Sequence, residues 1–496
     1  MDRLSPEILY LIVAHLCKVP PPVSPIPGEP RISRAPYAIL SRTWQSLVER
    51  WTLRFIKLRD TQIDTFAAIF AVSSRRTLLR QLLFIISLPT HGDSRDDFAR
   101  NQAVFRSSIL KLLNVLKDWD NVGARLKLHV ALEQRKDLHF DVYKSSSLRR
   151  YLSLDAIELP TVQCVGSLNV VSRSGRAWHP RAMCQLAGTF PHLQALDLEV
   201  TDPVNKRRQM RKDHRLALAA GLTVLNLPKL TNLSIHRMPT TTVYNHSFEC
   251  TDLREDGIDA LNDALRKLSQ TAPLTSLVLV GELISPDLFR NRRSTKIDLS
   301  TWPTLQNLTI KADIIAPSGS WYYTGDPDAV EPDGGFNHED EDEDGDEGED
   351  NESSDSDDDW DRDAVANGVW PSHTWRTRPD PDLFNKLVKD MASAVLRMPQ
   401  LRTGTLDIGF RRGEPADITI KCAEATYAFN RRPDWKTDTD KEKSTRRWHA
   451  WVGEATEWEV PESVRMLWKE WLGDSGKSTV DRWSPTDPEI IEEGAS

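Results

Sequence analysis

Apolar residues fall along this chain in two alternating rhythms. One has the helical spacing of three and four, the other the period of two that marks a strand. PHLQALDLEV, PKLTNLSIHR, PLTSLVLVGE and PTLQNLTIKA begin at Pro191, Pro228, Pro273 and Pro303, and each contains L-x-x-L-x-[LI]. PQLRTGTLDIGF, from Pro399, is a looser copy. LLFIISLP at 82–89, LKLHVAL at 126–132 and VGSLNVV at 165–171 read as less regular members, and TLRFIKLR at 52–59 as a first strand. Helical stretches lie between them. Ile258, Leu261, Leu265 and Leu268 make one face over 257–269, and Leu383, Phe384, Leu387, Met391, Ala394, Val395 and Met398 another over 381–398.

Strands separated by helical crossovers must run parallel. The predicted fold is therefore α/β, an irregular leucine-rich-repeat-like solenoid of strand–helix units. An ordinary α/β domain whose strand starts look alike is the alternative.

The first 50 residues follow a different pattern. In MDRLSPEILYLIVAHLCK, Ser5 is a good N-cap, Pro6 suits the first helical position, and Glu7 sits at the positive end of the dipole. Ile8, Leu9, Leu11, Ile12, Val13 and Leu16 then cover more than one stripe, which predicts a helix buried on two sides. The run is too short to span a bilayer, which takes about 20 residues, and it lacks the marks of a signal peptide. A proline-rich loop at 19–36 follows. A second helix is expected from near Tyr37, with Leu40, Trp44, Leu47, Val48 and Trp51 on one face.

Charge alters this picture at two places. Residues 339–361 hold 16 of the 73 acidic side chains and no basic one, so the remainder is a mildly basic body, with 57 acids against 64 Lys and Arg. A stretch from 317 to 377 containing this tract is expected to stay disordered. Within it, Asp340, Asp342, Asp344 and Gly345 match half of a calcium loop, but Asn351 stands where the bidentate Glu belongs. Ser354 and Ser356, each with an Asp three places on, suit acid-directed phosphorylation. The second place is NKRRQMRKDHR at 205–215, read as the wet face of a helix rather than as a nucleic-acid patch.

The expected organisation is a helical unit at 1–51, a repeat body at 52–316, the insert, a continuation with a Trp-rich cap at 378–480, and a flexible tail at 481–496. Cys17, Cys164, Cys184, Cys250 and Cys422 are scattered, which suggests neither a disulfide framework nor a zinc site. Nucleotide-binding, hydrolase and metalloprotease motifs are missing, so no catalytic residue, metal or cofactor is expected, and the chain is not read as an enzyme.

Leu4-Ser5-Pro6-Glu7-Ile8, followed by Ala38-Ile39-Leu40-Ser41-Arg42-Thr43-Trp44, resembles an F-box. More widely, YAILSRTWQSLVERWTLRFIKL at 37–58, LRQLLFIISLP at 79–89, PSGSWYY at 317–323 and MPQL at 398–401 resemble fungal F-box proteins that carry a leucine-rich-repeat-like body. The resemblance implies a substrate adaptor. Leu4, Pro6, Ile8, Leu9, Leu11, Ile12, Leu40 and Trp44 would dock a Skp1-type subunit of a cullin-RING ubiquitin ligase, and the body would hold a protein target. Nucleic acid and membrane are not expected partners, and the place of action would be cytoplasmic, nuclear or both. A repeat scaffold whose F-box has lost docking is the alternative.

Overall fold

The computed structural model describes residues 8, 9, 11, 12, 38–89, 94–122, 126–133, 150–155, 157–172, 176–239, 241–291, 301–330, 362–409, 417–425, 445–453 and 456–483. Leu4, Pro6, the proline-rich loop and the acidic tract 339–361 lie outside these residues.

The period-two segments form strands where the sequence places them. In order they are β1 (Phe55–Arg59), β2 (Gln81–Ile86), β3 (Leu126–Leu132), β4 (Val165–Val171), β5 (Ala195–Thr201), β6 (Asn232–Met238), β7 (Ser276–Glu282) and β8 (Asn307–Ala312). A small antiparallel pair follows, β9 (Tyr323–Thr324) with β10 (Arg378–Pro379). Then come β11 (Thr403–Ile408), β12 (Ile418–Ala423), β13 (Arg447–Gly453) and β14 (Lys477–Trp483). All but β9 and β10 join one twelve-stranded sheet, each strand lying beside its predecessor in sequence, with β8 next to β11. Pairing is parallel from β1 to β11 and again between β13 and β14, while β11–β12–β13 run antiparallel. The molecule is thus α/β, built on a mostly parallel sheet.

Helices carry many of the parallel connections. The longer ones are α1 (Arg42–Thr52) before the sheet, α2 (Ile63–Ile69), α3 (Arg95–Leu116), α4 (Pro180–Gly188), α5 (Arg208–Val224), α6 (Ala260–Thr271), α7 (Leu383–Val395) and α8 (Glu462–Leu472). Successive helices pack on one another, α4 on α5, α5 on α6 and α7 on α8. Gly221 brings α5 close to α4, because a Cβ there would sit 2.7 Å from the Cys184 Sγ.

Strict register lines the L-x-x-L-x-[LI] positions into two buried rows. Leu82, Leu128, Leu168, Leu196, Leu233, Leu277 and Leu308 form one, and Phe84, Val130, Val170, Leu198, Ile235, Leu279 and Ile310 the other. Each such side chain contributes about 1.5–3 kcal/mol on burial before ordering costs. The residues between them face the opposite way and are half-buried.

Several boundaries differ from the sequence reading. α1 starts at Arg42, not near Tyr37, because Ser41 is extended and its hydroxyl accepts from the Trp44 N–H at 3.3 Å. Residues 317–330 and 362–377 are ordered parts of the body, not of a disordered insert. Trp321, Tyr322 and Tyr323 are buried, the Tyr322 hydroxyl donates to the Ile284 carbonyl at 2.6 Å, and that of Tyr323 to Ile408 at 3.0 Å. On the returning side, Asn205 Nδ2 donates to the Asn367 carbonyl at 2.8 Å, and Lys206 pairs with Asp363. β14 carries ordered chain through Trp483, past the expected start of the tail. Within the Trp-rich segment Trp448 stacks on Trp468 at 4.9 Å between ring centroids.

Candidate functional site

Three features outside the apolar core bear on function. The first is the N-terminal helical segment. Leu9 is buried against Trp44 and Val48 of α1, with Ala38, Leu47 and Trp51 at the margin. This cluster is separate from the main core. Ile8, Leu11 and Ile12 point away and are exposed, as are Ile39 and Leu40 just before α1. Of the residues expected to bind a partner, Leu9 and Trp44 are therefore an internal contact. Leu40 does not share the Trp44 face, since it precedes the N-cap instead of belonging to the helix. α1 is tied to the body by Glu49, which pairs with Arg75 at 2.7 Å. That hydrogen bond holds the Glu49 carboxyl below its usual range and the Arg75 guanidinium above its own.

The second feature is the half-buried face of the sheet. Register places Lys57, Leu83, His129, Asn169, Asp197, Ser234, Val278, Thr309, Thr405, Lys421, His449 and Thr479 in one row across the strands. Some members of the row bond through their side chains to one another or to residues beside the row. Gln81 Nε2 and His129 Nε2 are 2.9 Å apart, Asn169 Nδ2 donates to Asp197 Oδ2 at 2.6 Å, and His236 Nε2 lies 3.6 Å from Asp197 and 2.8 Å from the Ser234 hydroxyl. Partial burial pushes the His129 pKa down. At the far edge, His449 contacts the Thr479 hydroxyl at 2.7 Å and Asp481 at 2.9 Å, and it stacks on Trp451.

The third is a buried ion network at the start and middle of α5, where the sequence reading expected a wet face. Arg211, His214 and Arg215 are all buried. Arg215 Nε and Nη2 donate to the two oxygens of Asp259 at 2.9 and 2.8 Å, Nη2 also to the Leu283 carbonyl at 2.7 Å, and Nη1 to Glu282 at 3.4 Å. Burial works against the Arg215 charge, but Asp259 and Glu282 outweigh it and raise its pKa. Burial likewise pushes the Glu282 carboxyl up. Beside them Arg237 Nε donates to Asp202 at 2.6 Å, and Nη1 to the Gly281 carbonyl at 2.8 Å and to Asp313 at 3.1 Å. Lys206 and Arg208 are the exposed part of the basic cluster. Spacing could have revealed the buried face, since Arg211, His214, Arg215, Leu218 and Leu222 fall at i, i+3, i+4, i+7 and i+11.

No group of His, Cys, Asp and Glu among the described residues is arranged to hold a metal ion. Among the described residues Cys164, Cys184, Cys250 and Cys422 form no disulfide. Burial raises the pKa of Cys184 and Cys250 to about 12, the opposite of what a nucleophile needs. No described helix is long and apolar enough to cross a membrane. A scan against family models finds no match, and searches of curated proteins and of solved structures also return none.

Proposed function

We propose that the protein is a substrate adaptor of a Skp1-cullin-RING ubiquitin ligase. In this reading residues 1–51 are an F-box-like unit, and the sheet with its helices is a leucine-rich-repeat-like solenoid that holds a protein target. The observation that carries it is the split of the N-terminal helical segment. Leu9 packs on Trp44 and Val48, while Ile8, Leu11, Ile12, Ile39 and Leu40 leave apolar surface in water. Exposed apolar side chains gathered beside a small satellite core favour a protein partner there. The adaptor would perform no bond chemistry. It would hold the target near the charged ubiquitin carrier, a gain in proximity. The half-buried polar row across the sheet offers the target a surface.

A non-ligase repeat scaffold is the second reading, favoured by the Glu49–Arg75 pair that ties α1 to the body. One experiment separates the two. The full chain is co-expressed with a Skp1-type subunit and captured. The adaptor reading expects a complex that Ile8→Asp with Ile12→Asp abolishes at unchanged thermal stability. Absence of a complex, or an undiminished one with the double variant, would refute it.

A further inference from the structure

A cavity of about 350 Å³ opens outside the C-terminal ends of β6, β7, β8 and β11. Ligands of open α/β sheets collect at this end of the strands, and the volume falls in the range of small-molecule sites. Here the sheet also changes direction, β12 running antiparallel to β11. The wall has three chemically distinct parts. One is apolar, made by Val243, Val280, Leu283, Ile314 and Ile315. A second is acidic, with Asp407 and Asp417 contributed by β11 and the start of β12. The third is cationic, with Arg211, Arg237 and Lys311.

Arg211 is the informative residue. It is only 7% exposed, yet among the described residues its one carboxylate contact within 4 Å is Asp202 at 3.9 Å, and its Nε has no hydrogen-bond partner. Its neighbours Arg215 and Arg237 each donate to carboxylates at 2.6–2.9 Å. Burial depresses the Arg211 pKa, whereas those of Arg215 and Arg237 are raised. A buried guanidinium short of acceptors is costly unless something supplies them. A phosphate dianion suits the site poorly, because the cations Arg211, Arg237 and Lys311 are matched in number by Asp313, Asp407 and Asp417, a balance that favours a ligand carrying both charges. A purely apolar molecule would leave the charges desolvated and unmatched.

We propose that this cavity binds a zwitterionic α-amino acid with an apolar side chain. Arg211 receives its carboxylate, Asp407 and Asp417 face its ammonium, and the apolar wall takes its side chain. This inference goes beyond the adaptor reading and does not depend on it.

The test is calorimetric titration of the full-length protein with L-leucine, L-phenylalanine and L-tryptophan. The tightest binder is then compared with its N-acetyl and carboxamide forms. At least one amino acid is expected to bind saturably, and each blocked form to bind at least tenfold more weakly. Arg211→Gln should weaken binding at least tenfold. Because Arg211 is buried, Asp407→Asn, at a half-buried position, provides a second variant, with circular dichroism confirming the fold of each. Three results would overturn the proposal: no saturable binding by any of the three, equal binding of the blocked forms, or unchanged binding in a folded variant.

Discussion

Arg215 and Asp259 meet side-on, two parallel N–H···O bonds of 2.9 and 2.8 Å joining α5 to the N-cap of α6. Both side chains are buried, and Asp259 also accepts from the Leu261 N–H at 3.3 Å. The pair therefore locks two successive helices while completing a helix end. Bidentate geometry of this kind is among the stronger polar contacts a protein makes.

Removing one partner leaves an uncompensated buried charge. Arg215→Met exposes Asp259 and Glu282 to each other in a dry site, and a loss of about 3–5 kcal/mol is expected. Asp259→Ala should cost a similar amount, with the lost cap adding about 1 kcal/mol. Arg215→Met with Asp259→Ala should lose less than the sum, since Asp259 is then no longer a buried charge without its partner, and only Glu282 is left facing the missing guanidinium. Chemical denaturation of the four proteins gives the cycle, and strict additivity would show the two residues to act independently.

His214 should make folding pH-dependent. Its ring packs on Tyr151 at 4.4 Å, and burial lowers its pKa from 6.5 to about 4. The folded state thus prefers the neutral ring. Its contribution is full above pH 6.5 and is lost as pH falls through 4. By linkage this amounts to at most about 3 kcal/mol. Thermal midpoints should drop between pH 6.5 and 4, and His214→Phe should flatten that part of the profile. An equally steep fall in the variant would assign the effect to other groups.

Much of the sheet was legible because its rhythm is local. L-x-x-L-x-[LI] fixes which side of a strand is apolar, and parallel register does the rest. What could not be read depends on residues far apart in sequence. Arg215 looked like part of a solvated basic run because Asp259 and Glu282 lie 44 and 67 positions downstream. Trp321, Tyr322 and Tyr323 were absorbed into the insert because Pro, Gly and Ser surround them. Their aromatic run was the available signal, for three large rings in water are a poor match to a disordered tract. The cavity draws its wall from several strands and loops and has no contiguous sequence mark.

Gly221 tests the approach of α4 and α5. An added Cβ would lie 2.7 Å from the Cys184 Sγ and 2.8 Å from its Cβ, inside contact distance. Gly221→Ala should therefore destabilise by about 1–3 kcal/mol through overpacking, although alanine is the better helix former by about 1 kcal/mol. Cys184→Ala in the same chain should restore part of the loss by removing the sulfur. A neutral or stabilising Gly221→Ala would mean that the helices separate at little cost.

Leu9 and Leu11 lie two residues apart on the N-terminal helical segment yet should respond in opposite ways. Leu9 is 3% exposed, closed over by Trp44 and Val48, whereas Leu11 is 65% exposed. Leu9→Ala removes apolar contacts from a small cluster whose buried members among the described residues are Leu9, Trp44 and Val48. Buried Leu→Ala changes cost about 2–5 kcal/mol in larger cores, and here most of that should appear as local release of the segment from α1. Hydrogen exchange at residues 8–12 and 44–48 should accelerate, while the sheet strands keep their protection. Leu11→Asp should leave exchange at both places unchanged, because the side chain is largely exposed, and should act only on capture of a partner. Equal acceleration in the two variants would mean that both faces of the segment are held by the protein itself, which would remove the apolar surface on which the adaptor reading rests.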